Sequence, residues 1–248
     1  MNKFNEFLNY MEADLSNLPT LPASELLEQT GPDRLYLVFV DIINGFCEEG
    51  ALASDRVAQI VEPVRQLAQF SVDQGIPPQN LIFLQDDHSP NAAEFSSFPS
   101  HCVRGTAEAD TVKELRPFLE APGARLFRKN ATNGLFGRDE KGLRFFEFLE
   151  EVFRQGPATF VVTGDCTDLC IYQNATGIRL LANEHDADVR VVVSGEHTQT
   201  FDTPVETAKS IGAHAHDGEF MDHMFLYHMK LNGVEVVRAI QVDSSVSD

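Results

Sequence analysis

Short apolar segments rich in β-branched residues alternate along the chain with longer amphipathic segments. The apolar segments predict six strands, at Leu35–Val40, Asn80–Leu84, Arg125–Arg128, Ala158–Thr163, Val189–Val193 and Val234–Ile240. Helical periodicity lies between them, at Ser54–Asp73, Ala109–Leu119, Glu140–Arg154, Asp168–Asn183 and Pro204–Ile211. Strands that alternate with helices form a mostly parallel sheet covered on both faces. We therefore predict an α/β fold with a six-stranded, mostly parallel sheet in a Rossmann-like three-layer α/β/α arrangement.

The beginning of the chain lacks this alternation. Apolar residues there follow helical spacing, at Phe4, Phe7, Leu8 and Met11. Three prolines then interrupt the pattern, at Pro19, Pro22 and Pro32. We expect residues 1–34 to form an N-terminal extension that packs against the body of the protein or a partner chain. No linker divides the remainder, so residues 35–248 are expected to form a single domain.

Composition restricts the class of protein and its partners. Apolar residues make up 43% of the chain, and 19 basic against 38 acidic residues leave a net charge of −19. That excess repels phosphate backbones and anionic lipids, so neither nucleic acid nor a membrane is expected as a partner. No apolar run approaches the about 18 residues that a membrane-spanning helix needs. The first residues also lack the basic start and apolar stretch of a signal peptide. Four cysteines do not form a disulfide framework in a chain of this size, which favours a cytoplasmic location.

Polar side chains collect where the predicted strands end. Asp41 follows the first strand, Asp86 and His88 the second, Lys129 the third, and the turn Gly164–Cys170 the fourth. Ligands of parallel sheets bind beyond the carboxyl ends of the strands. We therefore expect these side chains to lie together at one edge of the sheet.

Cys170 is the candidate nucleophile. It lies where a helix is predicted to begin, and the free N–H groups and positive dipole of a helix N-terminus favour the reactive thiolate. Asp41 could accept and return the thiol proton, while Lys129 could keep Asp41 ionised and stabilise the thiolate. Taken singly, a packed cysteine, a turn aspartate and a solvated lysine are the commoner interpretations. Their joint placement after three strands favours catalysis.

A second group of residues suits a divalent metal ion. Asp86 and His88 are two positions apart and point the same way in an extended chain, and Glu94 and His101 follow. Two imidazoles with one or two carboxylates suit zinc first, and also manganese or iron. An Asp-x-His pair by itself fits a hydrogen-bonded turn equally well.

Four segments resemble the isochorismatase-like cysteine hydrolases, and most of all their nicotinamidase branch. They are Val40–Cys47, Gln85–Pro90, Phe98–Thr106 and Thr163–Cys170, within a resemblance over about residues 34–242. The resemblance implies a cysteine hydrolase domain with a catalytic triad of Asp41, Lys129 and Cys170. It also implies a cis peptide bond between Asp165 and Cys166, which would aim the N–H groups of Cys166 and Cys170 at a developing oxyanion. Relatives commonly form homo-oligomers.

The nicotinamidase branch further implies a substrate. A metal held by Asp86, His88, Glu94 and His101 would contact the ring nitrogen of nicotinamide. Aromatic walls would enclose that ring, at Phe46, Phe98 and Phe136. The implied reaction is hydrolysis of a carboxamide through a thioester, giving nicotinic acid and ammonia. Relatives usually carry Gln at position 43, Asp at 45 and often Trp at 98, and these departures are expected to alter the pocket wall.

Other functions fit parts of the sequence. Another amidase of the same superfamily would act on an N-carbamoyl or ureido substrate, and a non-catalytic binding module would use the fold as a surface. A thiol redox protein would use Cys166 and Cys170, although their C-x3-C spacing differs from the usual C-x2-C. The segment His214-Ala215-His216 is more typical of a polar loop than of a metal site, and Cys47 and Cys102 are expected to be packed.

Overall fold

The computed structural model describes residues 2–242, and its centre is a parallel β-sheet. The strands of these residues are β1 (Thr20–Pro22), β2 (Leu35–Val40), β3 (Leu81–Asp86), β4 (Arg125–Lys129), β5 (Ala158–Asp165), β6 (Val189–Gln199), β7 (Glu235–Val237) and β8 (Ala239–Gln241). Six of them form the main sheet in the order β4-β3-β2-β5-β6-β7, and every neighbouring pair is parallel. The predicted α/β fold is confirmed.

Helices of very different lengths connect the strands. They are α1 (Lys3–Ser16), α2 (Ala23–Thr30), α3 (Asn44–Cys47), α4 (Asp55–Ala58), α5 (Val61–Asp73), α6 (Arg116–Leu119), α7 (Phe145–Arg154), α8 (Tyr172–Glu184), α9 (Val205–Ile211) and α10 (Gly218–Leu231). Some are shorter than predicted: the Glu140–Arg154 helix begins only at Phe145, because Gly142 takes a φ of +87° that no helix contains. None of the helices within residues 2–242 combines the length and apolar character needed to cross a membrane.

The two faces of the sheet bury separate apolar clusters. Along β2, Val38 and Val40 point to the cluster that includes α7, α8 and α10. Leu37 and Phe39 point to the opposite cluster, which includes α2 and α5. Successive side chains of a strand point to opposite faces, so a strand buried on both faces is apolar throughout. This burial explains the uninterrupted apolar run of β2.

The N-terminal segment packs onto the same body. Met11 and Leu15 of α1 are buried in the cluster that contains α10, and β1 pairs in parallel with β8. This pairing corrects the single strand predicted for Val234–Ile240. The strand divides at Arg238, whose N–H donates to the Pro19 carbonyl at 2.8 Å, so that β7 joins the main sheet and β8 joins β1.

The order of the sheet places a crevice between its central strands. The chain proceeds outward from β2 to β3 and β4, and then returns to the other side of β2 with β5. Such a switch point is where ligands of open α/β sheets bind. The backbones of β2 and β5 approach closely there, since a Cβ built on Gly164 would lie 1.9 Å from the Val40 carbonyl oxygen. Only glycine fits position 164.

A buried histidine on β6 makes the fold sensitive to acid. His197 is 3% exposed, its Nδ1 lies 2.9 Å from Ser194 Oγ, and burial lowers its pKa to about 4. Because the unfolded chain titrates near pH 6.5, it binds the proton more tightly and stability is lost as the pH falls through that value. We expect the low pKa of His197 to reduce the free energy of unfolding by about 2 kcal/mol as the pH falls from 7.5 to 5.

Urea unfolding of the natural chain and of His197→Gln at both pH values measures this contribution. The variant is expected to lose less free energy of unfolding on acidification. An equal loss in the two proteins would show that His197 is protonated in the folded state.

Candidate active site

Four chemically active side chains meet at the carboxyl ends of the central strands. Asp41 follows β2, Asp86 ends β3, Lys129 ends β4, and Cys170 lies in the turn after β5. All four are buried. The parallel register brings together residues that are far apart in the chain, as the sequence predicts for strand ends.

Lys129 is at the centre of this group. Its Nζ lies 2.7 Å from Asp41 Oδ2, 2.5 Å from Asp86 Oδ1 and 3.6 Å from Cys170 Sγ. A carboxylate oxygen of Asp41 lies within 4.8 Å of the Cys170 sulfur. One ammonium therefore holds two carboxylates beside one thiol.

The buried charges set one another's protonation. Burial and the charge of Asp86 raise the pKa of Asp41 to about 6, against the opposing effect of Lys129. Burial would also raise the pKa of Asp86, but Lys129 and His88 outweigh it and the net pKa falls. The two carboxylates raise the pKa of Lys129 well above its usual value despite burial. At neutral pH the site therefore contains a charged lysine and a carboxylate poised to accept a proton.

The surroundings of Cys170 favour the thiol over the thiolate. It lies in a π-turn, Thr167–Ile171, ahead of α8, so it is not in the first turn of an α-helix. Burial raises its pKa well above the usual value, and Lys129 opposes this only in part. Burial thus opposes the thiolate that the sequence favours, so a nearby base is needed to take the proton.

The backbone before this turn contains the expected cis peptide bond between Asp165 and Cys166. Cys166 lines the same cavity as Cys170. Asp165 is fully buried, and its Oδ2 has no hydrogen-bond partner among residues 2–242. Burial, reinforced by the charge of Asp41, raises the pKa of Asp165 well above the usual value and favours the neutral acid.

Three of the four predicted metal ligands gather beside Lys129 and Cys170. Asp86, His88 and His101 each offer one ligand atom, and these atoms all lie within 4.8 Å of one another. Nδ1 of the fully buried His88 has no hydrogen-bond partner in the described chain, and its Nε2 lies 3.4 Å from Asp86 Oδ2. Unpaired buried nitrogens are costly unless something binds them. Burial lowers the pKa of His101, which favours the neutral imidazole that metals require. The donor set fits zinc.

Glu94 lines the same cavity but does not join these three residues. Its Oε2 accepts a hydrogen bond from Thr132 N, and its Oε1 one from Thr132 Oγ1, both at 3.2 Å. The carboxylate is thus held at the cavity wall by the loop after β4.

A narrow cavity connects the metal ligands to the thiol. Its lining residues are Phe46, Leu52, Asp86, Glu94, Phe98, His101, Thr132, Cys166, Leu169, Cys170 and Phe201. The lining therefore combines three aromatic rings, Phe46, Phe98 and Phe201, with a thiol and an imidazole.

A family model, the isochorismatase domain, matches residues 36–217. The chain belongs to the isochorismatase family. It is 34% identical over 219 residues to Nicotinamidase 1 of Arabidopsis thaliana, which covers 84% of this chain and 87% of the relative. The family resemblance inferred from the four sequence segments is confirmed.

Solved structures agree with this fold. The N-carbamoylsarcosine amidase of Thermoplasma acidophilum is 21% identical, with a TM-score of 0.58 over 85% of this chain and 99% of that one. The pyrazinamidase of Pyrococcus horikoshii, solved in complex with zinc, is 19% identical, with a TM-score of 0.59 over 83% and 99%. At these identities the likeness concerns the fold.

The aromatic wall differs from the one that the family resemblance implies. Phe46 and Phe98 line the cavity, but Phe136 does not: its side chain is 64% exposed and lies over a separate surface cleft. Phe201 supplies the third wall. It was missed because β6 continues six residues beyond the predicted end at Val193, through polar residues that do not look like a strand.

Two departures from the family pattern lie under the site. Ile43 is fully buried and Gly45 packs against Cys102, whose sulfur would lie 2.5 Å from a Cβ at position 45. Neither residue lines the cavity. The expectation that these two positions alter the pocket wall is therefore wrong, because the backbone of α3 turns them into the core.

Proposed function

We propose that this chain hydrolyses a small aromatic carboxamide through a thioester on Cys170, and that nicotinamide is its substrate. The observation that carries the proposal is the contact of Lys129 with both Asp41 and Cys170 at the end of an aromatic-walled cavity. The relation to a plant nicotinamidase supports the choice of substrate.

In the first half of the reaction, Asp41 accepts the proton of Cys170 as the sulfur attacks the carboxamide carbon. The carbonyl oxygen becomes an oxyanion, for which the N–H groups of Cys166 and Cys170 are the proposed donors. Asp41 then gives its proton to the amide nitrogen, the C–N bond breaks, and ammonia leaves an acyl-thioester. The pKa of about 6 at Asp41 suits a group that both accepts and returns a proton near neutrality.

In the second half, water attacks the thioester. Asp41 accepts a proton from the water, and collapse of the second oxyanion breaks the C–S bond. The carboxylic acid leaves, and the proton returns to the sulfur. Lys129 remains charged throughout, so that it limits the repulsion between Asp41 and Asp86 while the sulfur carries negative charge.

Asp86, His88 and His101 are the residues that would hold a zinc ion, with Glu94 beside them. A bound zinc ion supplies a Lewis acid that can accept the lone pair of a pyridine nitrogen. His101 also lines the cavity, where it contacts the ring of Phe46 at a centroid distance of 5.6 Å. With zinc held by these residues, the pyridine nitrogen of nicotinamide would be its ligand, and the metal would help to orient the ring.

We expect His101→Ala to weaken zinc binding by at least the roughly 10-fold to 100-fold seen when metal-site partners are lost. Calorimetric titration of metal-free protein with zinc measures this without reference to activity. His185→Ala, which changes a 41% exposed side chain far from the site, is the control and is expected to bind zinc normally. Equal zinc affinity in the two variants would contradict the ligand assignment.

The proposed reaction is tested by ammonia release from nicotinamide, before and after chelation and zinc replacement. Release that needs the metal supports the whole proposal. Folded, zinc-loaded protein that releases ammonia from an N-carbamoyl amino acid but not from nicotinamide would replace the substrate while keeping the reaction. No release from either amide would reject the amidase function.

A further inference from the structure

The cavity wall formed by Phe201 is tied to the turn that carries the nucleophile. His216, from the loop before α10, lies against Phe201 with ring centroids 3.9 Å apart and planes inclined by 17°. Its Nδ1 lies 2.9 Å from the Phe201 carbonyl oxygen, and its Nε2 lies 2.8 Å from Asp168 Oδ2. Asp168 is two residues before Cys170 in the same π-turn.

Both ring nitrogens of His216 therefore face oxygens that only accept hydrogen bonds. Each ring nitrogen lies within hydrogen-bond distance of its oxygen, so one imidazole bridges the Phe201 backbone and the Asp168 carboxyl group. The His216 side chain is 12% exposed and that of Asp168 is 7% exposed, so water competes weakly for either bond. One side chain thus holds the backbone, the ring and the nucleophile turn together.

Further bonds confine the residue before Phe201. Thr200 Oγ1 donates to Asp168 Oδ1 at 2.6 Å, and Arg56 Nε donates to the Thr200 carbonyl at 3.2 Å. Asp168 therefore uses one oxygen for Thr200 and the other for His216. The backbone of Phe201 also lies so close to Gly218 that a Cβ on Gly218 would be 2.7 Å from the Phe201 carbonyl oxygen.

The segment that follows Phe201 makes few apolar contacts with the rest of the protein. Beyond Phe201 the chain is exposed at Asp202 and Pro204, and the following helix α9 leaves Val205 and Ile211 largely in solvent. The apolar core thus gives the loop few contacts, and polar bonds hold it in place. Besides the side-chain bonds of Asp168 and His216, Thr203 and His216 exchange two backbone hydrogen bonds, and Gly218 N donates to Asp202 Oδ1 at 2.9 Å.

We propose that Asp168 and His216 are positioning residues that set the distance between the Phe201 wall and Cys170, and thereby select flat aromatic amides. This inference rests on the proposed function for its substrate but not for its geometry. A wall held at a fixed distance from the sulfur accepts a planar ring and excludes a thicker one. The Asp168–His216 pair touches no reacting atom, so its effect is on binding and selectivity.

The test compares nicotinamide with cyclohexanecarboxamide, an amide of similar size whose ring is not flat. His216→Phe keeps a ring beside Phe201 but removes both hydrogen bonds. We expect kcat/KM for nicotinamide to fall by about 10-fold to 100-fold, mainly through KM, as loss of a charge-assisted bond implies. The preference for nicotinamide over the non-planar amide is expected to fall with it.

Two further variants separate positioning from loss of structure. His214→Phe changes an exposed residue of the same loop and is expected to leave KM unchanged. His216→Asn keeps a donor for the Phe201 carbonyl, so its KM for nicotinamide is expected to lie between those of the natural chain and of His216→Phe. Thermal unfolding of each variant shows whether it is folded. An unchanged KM and selectivity in folded His216→Phe would overturn the proposal.

A fluorescence measurement tests the geometry without turnover. The chain contains no tryptophan, so Phe201→Trp creates a single reporter at the wall. Adding His216→Phe is expected to increase quenching of that reporter by acrylamide at least twofold, because the wall is released. Unchanged quenching would contradict the positioning role. Absence of turnover by the unmodified chain would contradict the proposed function instead.

Discussion

Replacing Cys170 with alanine is expected to lower the turnover of nicotinamide by on the order of 10⁴-fold to 10⁶-fold, as loss of a nucleophile does in comparable hydrolases. The substitution removes the atom that forms the thioester but leaves Lys129 paired with Asp41 and Asp86. Nicotinamide binding is therefore expected to change by less than about threefold, because the walls and the metal ligands remain. Ammonia release measures the first effect, and equilibrium dialysis with labelled nicotinamide measures the second.

A second cysteine provides the matched control. Cys47 is also buried, but it lies in α3 and does not line the cavity. Cys47→Ala is expected to retain turnover within about threefold while losing some stability from the small cavity it leaves. Turnover that survives Cys170→Ala would contradict the thioester route. If both variants lost turnover and were also unfolded, the loss would reflect instability. Nicotinamide binding by the folded fraction of each variant would then be compared.

Replacing Lys129 with methionine is expected to destabilise the fold by about 3–5 kcal/mol and to lower turnover sharply. The Lys129 side chain is 1% exposed and its ammonium neutralises two carboxylates that are themselves buried. Methionine fills a similar volume but leaves Asp41 and Asp86 without a counter-ion. We expect turnover to fall roughly 10³-fold or more, since the base and the developing thiolate lose the same charge.

The contribution of buried charge can be isolated by two comparisons. Lys113→Met removes a lysine that is 77% exposed and is expected to change the free energy of unfolding by less than about 0.5 kcal/mol. Adding Asp41→Asn to Lys129→Met removes one of the two unpaired carboxylates and is expected to recover part of the lost stability without restoring turnover. Urea unfolding measures both. Equal stability of the Lys129 and Lys113 variants would show that the carboxylates are neutral in the folded protein.

The sequence by itself determined the architecture and much of the chemistry. A strand such as β2 is buried on both faces and is therefore apolar throughout, so apolar runs in the sequence predict the strand positions. The carboxyl ends of parallel strands coincide at one edge, so Asp41, Asp86 and Lys129 could be expected to meet there. The helix limits were less well predicted: α6 begins at Arg116 rather than Ala109, and the helix predicted over Ser54–Asp73 divides into α4 and α5.

The tertiary structure alone decided which aromatic ring closes the cavity and how the thiol is held. Phe136 and Phe201 are equally apolar in sequence, but the folded chain leaves the first 64% exposed at a separate cleft and brings the second to the cavity wall, where it stacks on His216. The thiol form of Cys170 likewise depends on how deeply it is buried among charges from distant strands. Each outcome depends on contacts between residues that are remote in the chain, and no local pattern records those contacts. Strand positions are set by local burial, whereas the shape and protonation of the site are set by what the folded chain brings together.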